Sequence, residues 1–189
     1  MRFNIRECFE QHRQLVDLSC EQLGDRIQQA AALIIDACKA GGGVFAFGNG
    51  GSAADAQHIA CELVGRFRRN RRGIRAQALT TDASILTAVA NDFDFDRIFA
   101  RQLEACARPG DVAIGLSTSG NSPNVVEALE KARQMGLRTI ALTGRGGGNC
   151  ALLADVLLDV PSDDTPRIQE IHALVYHILC ELVEQAVGE

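Results

Sequence analysis

Apolar residues recur with helical spacing over the first forty positions, as Phe9, Leu15, Leu18 and Leu23 and then as Ile27, Ala31, Leu33, Ile34 and Cys38. The spacing predicts a pair of helical segments. From residue 43 the pattern changes to short apolar runs at 44–47, 76–79, 111–116, 138–142 and 156–160, separated by stretches of helical period. Strands that alternate with helices pair in parallel through right-handed crossovers, which predicts a three-layer α/β fold with a five-stranded sheet. Residues 1–40 then form an N-terminal helical segment and 41–189 the α/β core of a single domain. One αβ layer offers no obvious place to bury every apolar position of the leading helices. Part of that surface is expected to pack on another subunit.

Ligands of such folds gather at the carboxyl ends of strands, which directs attention to the loops 48–52, 80–82, 117–122 and 144–149. The first belongs to the stretch GNGGSAADAQHIACELVGRF, residues 48–67. An apolar run breaks on glycine there and a helix opens at Ser52. Free N–H groups and the positive end of the helix dipole meet at such a junction, and the Ser52 hydroxyl is placed to cap the helix and face an anion. Further along, Asp55, His58, Glu62 and Arg66 fall in one polar stripe. Ala56, Ile59, Ala60, Leu63 and Phe67 form the neighbouring apolar one. A His–Glu pair four apart is also what an exposed helix surface carries, but the adjacent glycine loop favours a site.

The third strand runs into Ser117-Thr118-Ser119-Gly120-Asn121-Ser122-Pro123, and a helix follows from about Asn124. Hydroxyls and a helix start at a strand end make a second anion cradle, although turn chemistry alone accounts for such residues too. A phosphate held by N–H groups and hydroxyls without lysine suits a retained group rather than a transferred one. The glycine-rich loop 144–149 offers no hydroxyl and reads as a flexible strand-to-helix turn of low functional weight. The last helix, about 167–187, starts after Ser162-Asp163-Asp164-Thr165-Pro166. Its apolar stripe is Ile171, Leu174, Val175, Ile178, Leu179 and Leu182, which leaves Gln169, Ala173, Tyr176, His177 and Cys180 facing solvent or a partner. Gln169 and His177 are about 12 Å apart along the axis and roughly 80° around it. One ion could join both only through stretched side chains, or through ligands from two subunits.

Composition narrows the class. The chain has 189 residues, 47% hydrophobic and 23% charged, which suits one sizeable core. A net charge of −5 with no long basic run argues against a nucleic-acid surface, and the arginines between 66 and 75 read mostly as a solvated loop. The 7 cysteines include no CxxC pair and match no disulfide framework. No apolar run is long enough to span a bilayer, and residues 1–13 lack an apolar core of signal-peptide length. A cytoplasmic protein without membrane attachment is the expectation.

Gly48-x-Gly50-x-x-Ala53 fits a loose dinucleotide fingerprint, but that reading needs an acidic residue at the end of the second strand. The run ends Leu79-Thr80-Thr81, and Asp82 comes late. No GxxxxGK[ST] motif occurs. His58 and Glu62 instead offer half of a metal shell that Gln169 and His177 could complete around zinc or a similar ion.

Together with AVANDFDFDRIF, GDVAIGLSTSGNSPNVVEAL and RIQEIHALVYHILCELVE, the stretch GNGGSAADAQHIACELVGRF resembles the sugar isomerase (SIS) fold, and within it the phosphoheptose isomerases. The resemblance covers nearly the whole chain. It implies a flavodoxin-like sheet, conversion of sedoheptulose 7-phosphate to D-glycero-D-manno-heptose 7-phosphate toward nucleotide-activated heptose for lipopolysaccharide or related glycans, and a homotetramer with active sites at subunit interfaces and bound zinc. It implies His58, Glu62, Gln169 and His177 as the metal shell, with Glu62 and His177 as the acid–base pair. Ser117, Thr118, Ser119 and Ser122 would hold the phosphate. Asn49, Gly50, Gly51, Ser52, Asn91 and Asp92 would line the sugar, with Arg66 nearby. Read alone, Asn91-Asp92 looks like a plain turn. SAADAQH also resembles a non-catalytic relative of the same fold that binds the bacterial replication initiator; that group lacks the glutamate present here as Glu62.

Overall fold

The computed structural model describes residues 4–187. The leading segment is a single helix, α1 (Ile5–Lys39), rather than a pair. Gly24 lies at its middle, and one glycine in a helix interior costs only about 1 kcal/mol, less than the burial of Leu23, Ile27, Ala30, Ala31 and Ile34 on either side returns. Asn4 caps its start, its side chain accepting from the Glu7 N–H.

Then follow β1 (Val44–Gly48), α2 (Gly51–Val64), β2 (Ala76–Ala78), α3 (Ala83–Asp92), α4 (Ala100–Cys106), β3 (Val112–Ser117), α5 (Pro123–Gln134), β4 (Arg138–Thr143), β5 (Val156–Asp159) and α6 (Thr165–Val187). Short 3₁₀ turns occupy Phe95–Arg97 and Gly148–Leu152. The sheet order is β2-β1-β3-β4-β5, all parallel. Strand alternation sorts two cores. Val44, Ala46, Ile114 and Leu116 pack with α1, α2 and α6 on one face. Phe45, Phe47, Ala113 and Ala141 pack with α3, α4 and α5 on the other.

This order fixes where a ligand belongs. The chain leaves β1 toward β2 on one side and returns on the other as β3, so the connections after β1 and β3 diverge and open a crevice at their carboxyl ends. Gly48 stands one register step from Ser117, being paired with Leu116. The glycine loop and the hydroxyl loop therefore flank the same crevice.

The last helix is buried on more than one side. Tyr176 and Cys180, expected to face solvent or a partner, are 3% and 2% exposed, whereas Leu174, placed on the apolar stripe, is 41% exposed. α6 packs against both α1 and α2, so its buried arc is wider than a single stripe predicts.

Candidate active site

The backbone turns from β1 into α2 at Gly50, which caps the helix at φ 57° and ψ −121°, a conformation open to glycine alone. Ser52 is thus in the first turn, buried at 3%, and not the cap. With no side-chain cap, the opening N–H groups of α2 remain an anion-binding edge. Gly51 lies under the Gln169 amide, whose Nε2 would be 2.5 Å from a Cβ at that position.

Further along α2, His58, Glu62 and His177 bring ligand atoms that all lie within 4.8 Å of one another. His58 Nε2 is 3.0 Å from Glu62 Oε1. The His58 ring packs edge-on against His177, centroids 4.9 Å apart, and the Phe67 ring lies 5.8 Å from His177. The His58 and Glu62 side chains are 43% and 18% exposed, so the cluster is reachable from solvent. Two imidazole nitrogens and a carboxylate oxygen from one chain suit a catalytic zinc, which keeps three protein ligands and an open position. Of the four residues expected to form a shell, His58, Glu62 and His177 converge. The fourth, Gln169, lies with its amide over Gly51 in the first turn of the same helix.

Two features behind the cluster escaped sequence reasoning. The Tyr176 hydroxyl is 3.0 Å from His58 Nδ1, leaving Nε2 as the ring atom turned toward Glu62. Burial, with the charge of Asp55 beside it, pushes the Tyr176 phenol up to about 12, so the hydroxyl stays protonated; burial also raises the Asp55 carboxyl. The second feature anchors the end of α2. Arg71 donates to the carbonyls of Glu62 and Leu63 at 2.9 and 2.8 Å, and its Nε lies 3.2 Å from Glu184. The Glu184 carboxylate also accepts the N–H groups of Phe67, Arg68 and Arg69 at 2.9, 2.8 and 2.9 Å. Burial pushes this carboxyl up, but those amides and the guanidinium outweigh it and hold it below the usual carboxylate value. The arginine-rich segment is therefore a solvated loop pinned by one buried pair. Arg66, Arg68, Arg69 and Arg72 are exposed.

Across the crevice three serine hydroxyls converge. Ser117 Oγ lies 2.9 Å from Ser122 Oγ and 3.4 Å from Ser119 Oγ. Ser122 is the N-cap residue of α5 but bonds none of its amides through the side chain. The loop 144–149, expected to be a flexible turn, is bonded to this cradle. Gly144 N–H donates to Thr118 O at 3.0 Å, Asn149 N–H to Asn121 Oδ1 at 2.9 Å, and Cys150 N–H to Gly120 O at 2.9 Å. Between β1 and α5, the amides of Asn49 and Asn124 face each other. Asn91 and Asp92, read alone as a plain turn, are the last residues of α3 and bond each other at 2.8 Å on the surface.

Residues 7–144 match the SIS domain model. The phosphoheptose isomerase of Citrifermentans bemidjiense is 53% identical over 185 residues, 98% of this chain and 96% of that protein. Among solved structures, phosphoheptose isomerases from Neisseria gonorrhoeae (43% identity, TM-score 0.91, 96% of this chain and 97% of that one) and Francisella tularensis (37%, 0.93, 96% of each) superpose on nearly the whole fold. Matched by the SIS domain model over most of its length and by phosphoheptose isomerases along nearly all of it, the chain belongs to the phosphoheptose isomerases of the SIS domain family.

Proposed function

We propose that this chain interconverts sedoheptulose 7-phosphate and D-glycero-D-manno-heptose 7-phosphate, an aldose–ketose isomerisation that feeds nucleotide-activated heptose for lipopolysaccharide or related glycans. The observation that carries the reading is the Glu62 carboxylate, partly shielded beside two imidazoles on the helix that opens from the glycine loop. Exchanging a ketose for an aldose takes a proton from one carbon and returns it to its neighbour through an enediol, work that one carboxylate performs in both steps. Glu62 is assigned that proton, and His177 the proton moving between the two sugar oxygens. Ser117, Thr118, Ser119 and Ser122 grip the phosphate at the far end, so binding energy remote from the reacting carbons orients the open chain. Asn49, Gly50, Gly51, Ser52, Asn91, Asp92 and Arg66 are assigned to the sugar.

His58, Glu62 and His177, with Gln169 as a further donor, would hold zinc; when bound, the ion polarises the carbonyl and stabilises the enediolate charge. A homotetramer is supported by large apolar side chains that one chain leaves uncovered, Phe9 at 74% and Phe93 and Phe95 at 56% exposure. Phe93 adjoins Asn91-Asp92, so a copy docked there would bring these residues to an interfacial site. A cytoplasmic location is supported by the cysteines, all free thiols, the form a reducing compartment maintains. No helix among the described residues is long and apolar enough to cross a membrane. The relatives favour the enzyme over a replication-initiator scaffold.

Purified protein incubated with sedoheptulose 7-phosphate should form the aldose, lose turnover on chelation and regain it with zinc. Absence of aldose from zinc-replete protein would contradict the proposal.

A further inference from the structure

The glycine loop and the hydroxyl loop belong to different strands and different crossovers, yet a substrate held at both ends requires a fixed distance between them. Among the described residues one reciprocal pair of side-chain hydrogen bonds spans the gap. Asn49 Nδ2 donates to Asn124 Oδ1 at 2.8 Å, and Asn124 Nδ2 donates to Asn49 Oδ1 at 2.8 Å, closing a ring of two amides. Asn124 is 1% exposed at the second position of α5, immediately after the hydroxyl loop. Asn49 is partly buried and is the first residue of the glycine loop after β1.

The ring consumes one donor and one acceptor of each amide, and leaves Asn49 one N–H and one lone pair. Turning one amide alone by 180° would set N–H against N–H and O against O. The two amides can therefore turn only together, which couples the accessible one to its buried partner. We infer that Asn124 is a positioning residue for the isomerisation: it acts through Asn49, holding that amide in place beside the sugar and fixing the spacing of the sugar loop from the phosphate loop. This inference rests on the proposed function for its consequence in turnover, and on geometry alone for the coupling. Nothing in the sequence announces it, because the two residues are 75 positions apart.

The test is a double-mutant cycle on the full-length protein, read by turnover of sedoheptulose 7-phosphate, by calorimetric binding of inorganic phosphate, and by urea unfolding. Asn124→Ala and Asn49→Ala should each lower kcat/KM about 10-fold or more, since misplacement by about 1 Å is costly in rate. The double variant should be no worse than the poorer single one. Affinity for inorganic phosphate should stay within about twofold of the parent, because the hydroxyls are left in place. Asn124→Asp should be worse than Asn124→Ala despite its size, as its second carboxylate oxygen opposes Asn49 Oδ1. Multiplying losses in the double variant, or phosphate affinity falling in step with kcat/KM, would overturn the inference. Should the parent fail to turn over sedoheptulose 7-phosphate, the proposed function falls by itself, and the urea midpoints decide the link: non-additive losses support it and additive losses overturn it.

Discussion

The loop after β1 and the loop after β3 are both glycine-bearing turns at the carboxyl ends of neighbouring strands, but they are built in opposite ways. Around Gly50 there is open space: a Cβ there would meet nothing within 4 Å. Around Gly120 there is none, for a Cβ there would lie 2.1 Å from the Gly147 carbonyl oxygen. The first loop works through bare backbone and leaves room for a ligand. The second presents hydroxyls and is held in shape by a neighbouring glycine loop packed onto its back. An anion cradle that relies on side-chain geometry needs a rigid support, whereas one that relies on a helix N-terminus carries its own.

That contrast breaks most visibly at Gly120. Gly120→Ala combines left-handed strain at φ +67° with a backbone collision, and should destabilise the fold by about 4 kcal/mol. A thermal midpoint close to the parent's would show that the support is soft. Next in size is the proton response of the same region. His172 is fully buried, and its Nε2 donates to the carbonyl of Thr143, which stands opposite Ser117 in the sheet. Its Nδ1 has no partner among the described residues, and burial lowers its pKa from 6.5 to about 4. The unfolded chain therefore takes up the proton first as pH falls. Stability is full above pH 6.5, declines between 6.5 and 4, and by pH 4 has dropped by about 3 kcal/mol from this group. Denaturant midpoints for the parent and His172→Gln should converge over that window; parallel curves would remove His172 as the cause.

Gly50→Ala should cost less, about 2 kcal/mol from backbone strain alone, while raising KM as the methyl group enters the ligand space. Equal stability losses at Gly50 and Gly120 would erase the distinction between the loops. The smallest change is Tyr176→Phe, which removes the hydroxyl that orients His58 from behind. It should cost about 1 kcal/mol of stability and weaken zinc about 10-fold, measured by competition with a chromophoric chelator. Unchanged zinc affinity would leave Tyr176 a packing residue.

Much of this was legible in the chain itself. The five strands fall within a residue or two of the runs; β1 and β3, covered on both faces, read as unbroken apolar stretches ended by a glycine and a serine. The His58–Glu62 edge and both loops followed from the same punctuation. The errors share a different cause. α1 was divided because periodicity cannot register how cheaply a long packed helix absorbs Gly24. Tyr176 and Cys180 were turned outward because a single apolar stripe cannot show that α6 is covered from two sides. The Arg71–Glu184 lock and the Asn49–Asn124 ring join residues far apart in sequence, and only the fold brings such partners together.

In the proposed reaction Glu62 moves the carbon-bound proton. Glu62→Gln keeps size and shape, so the protein should fold, assemble and bind inorganic phosphate as the parent does. Incubated with sedoheptulose 7-phosphate in deuterated water, the parent should form aldose and place deuterium on the carbon next to the carbonyl, and the variant should do neither to within about a thousandth of the parent's rate. Near-parental aldose formation or deuterium incorporation by Glu62→Gln would rule out Glu62 as the base.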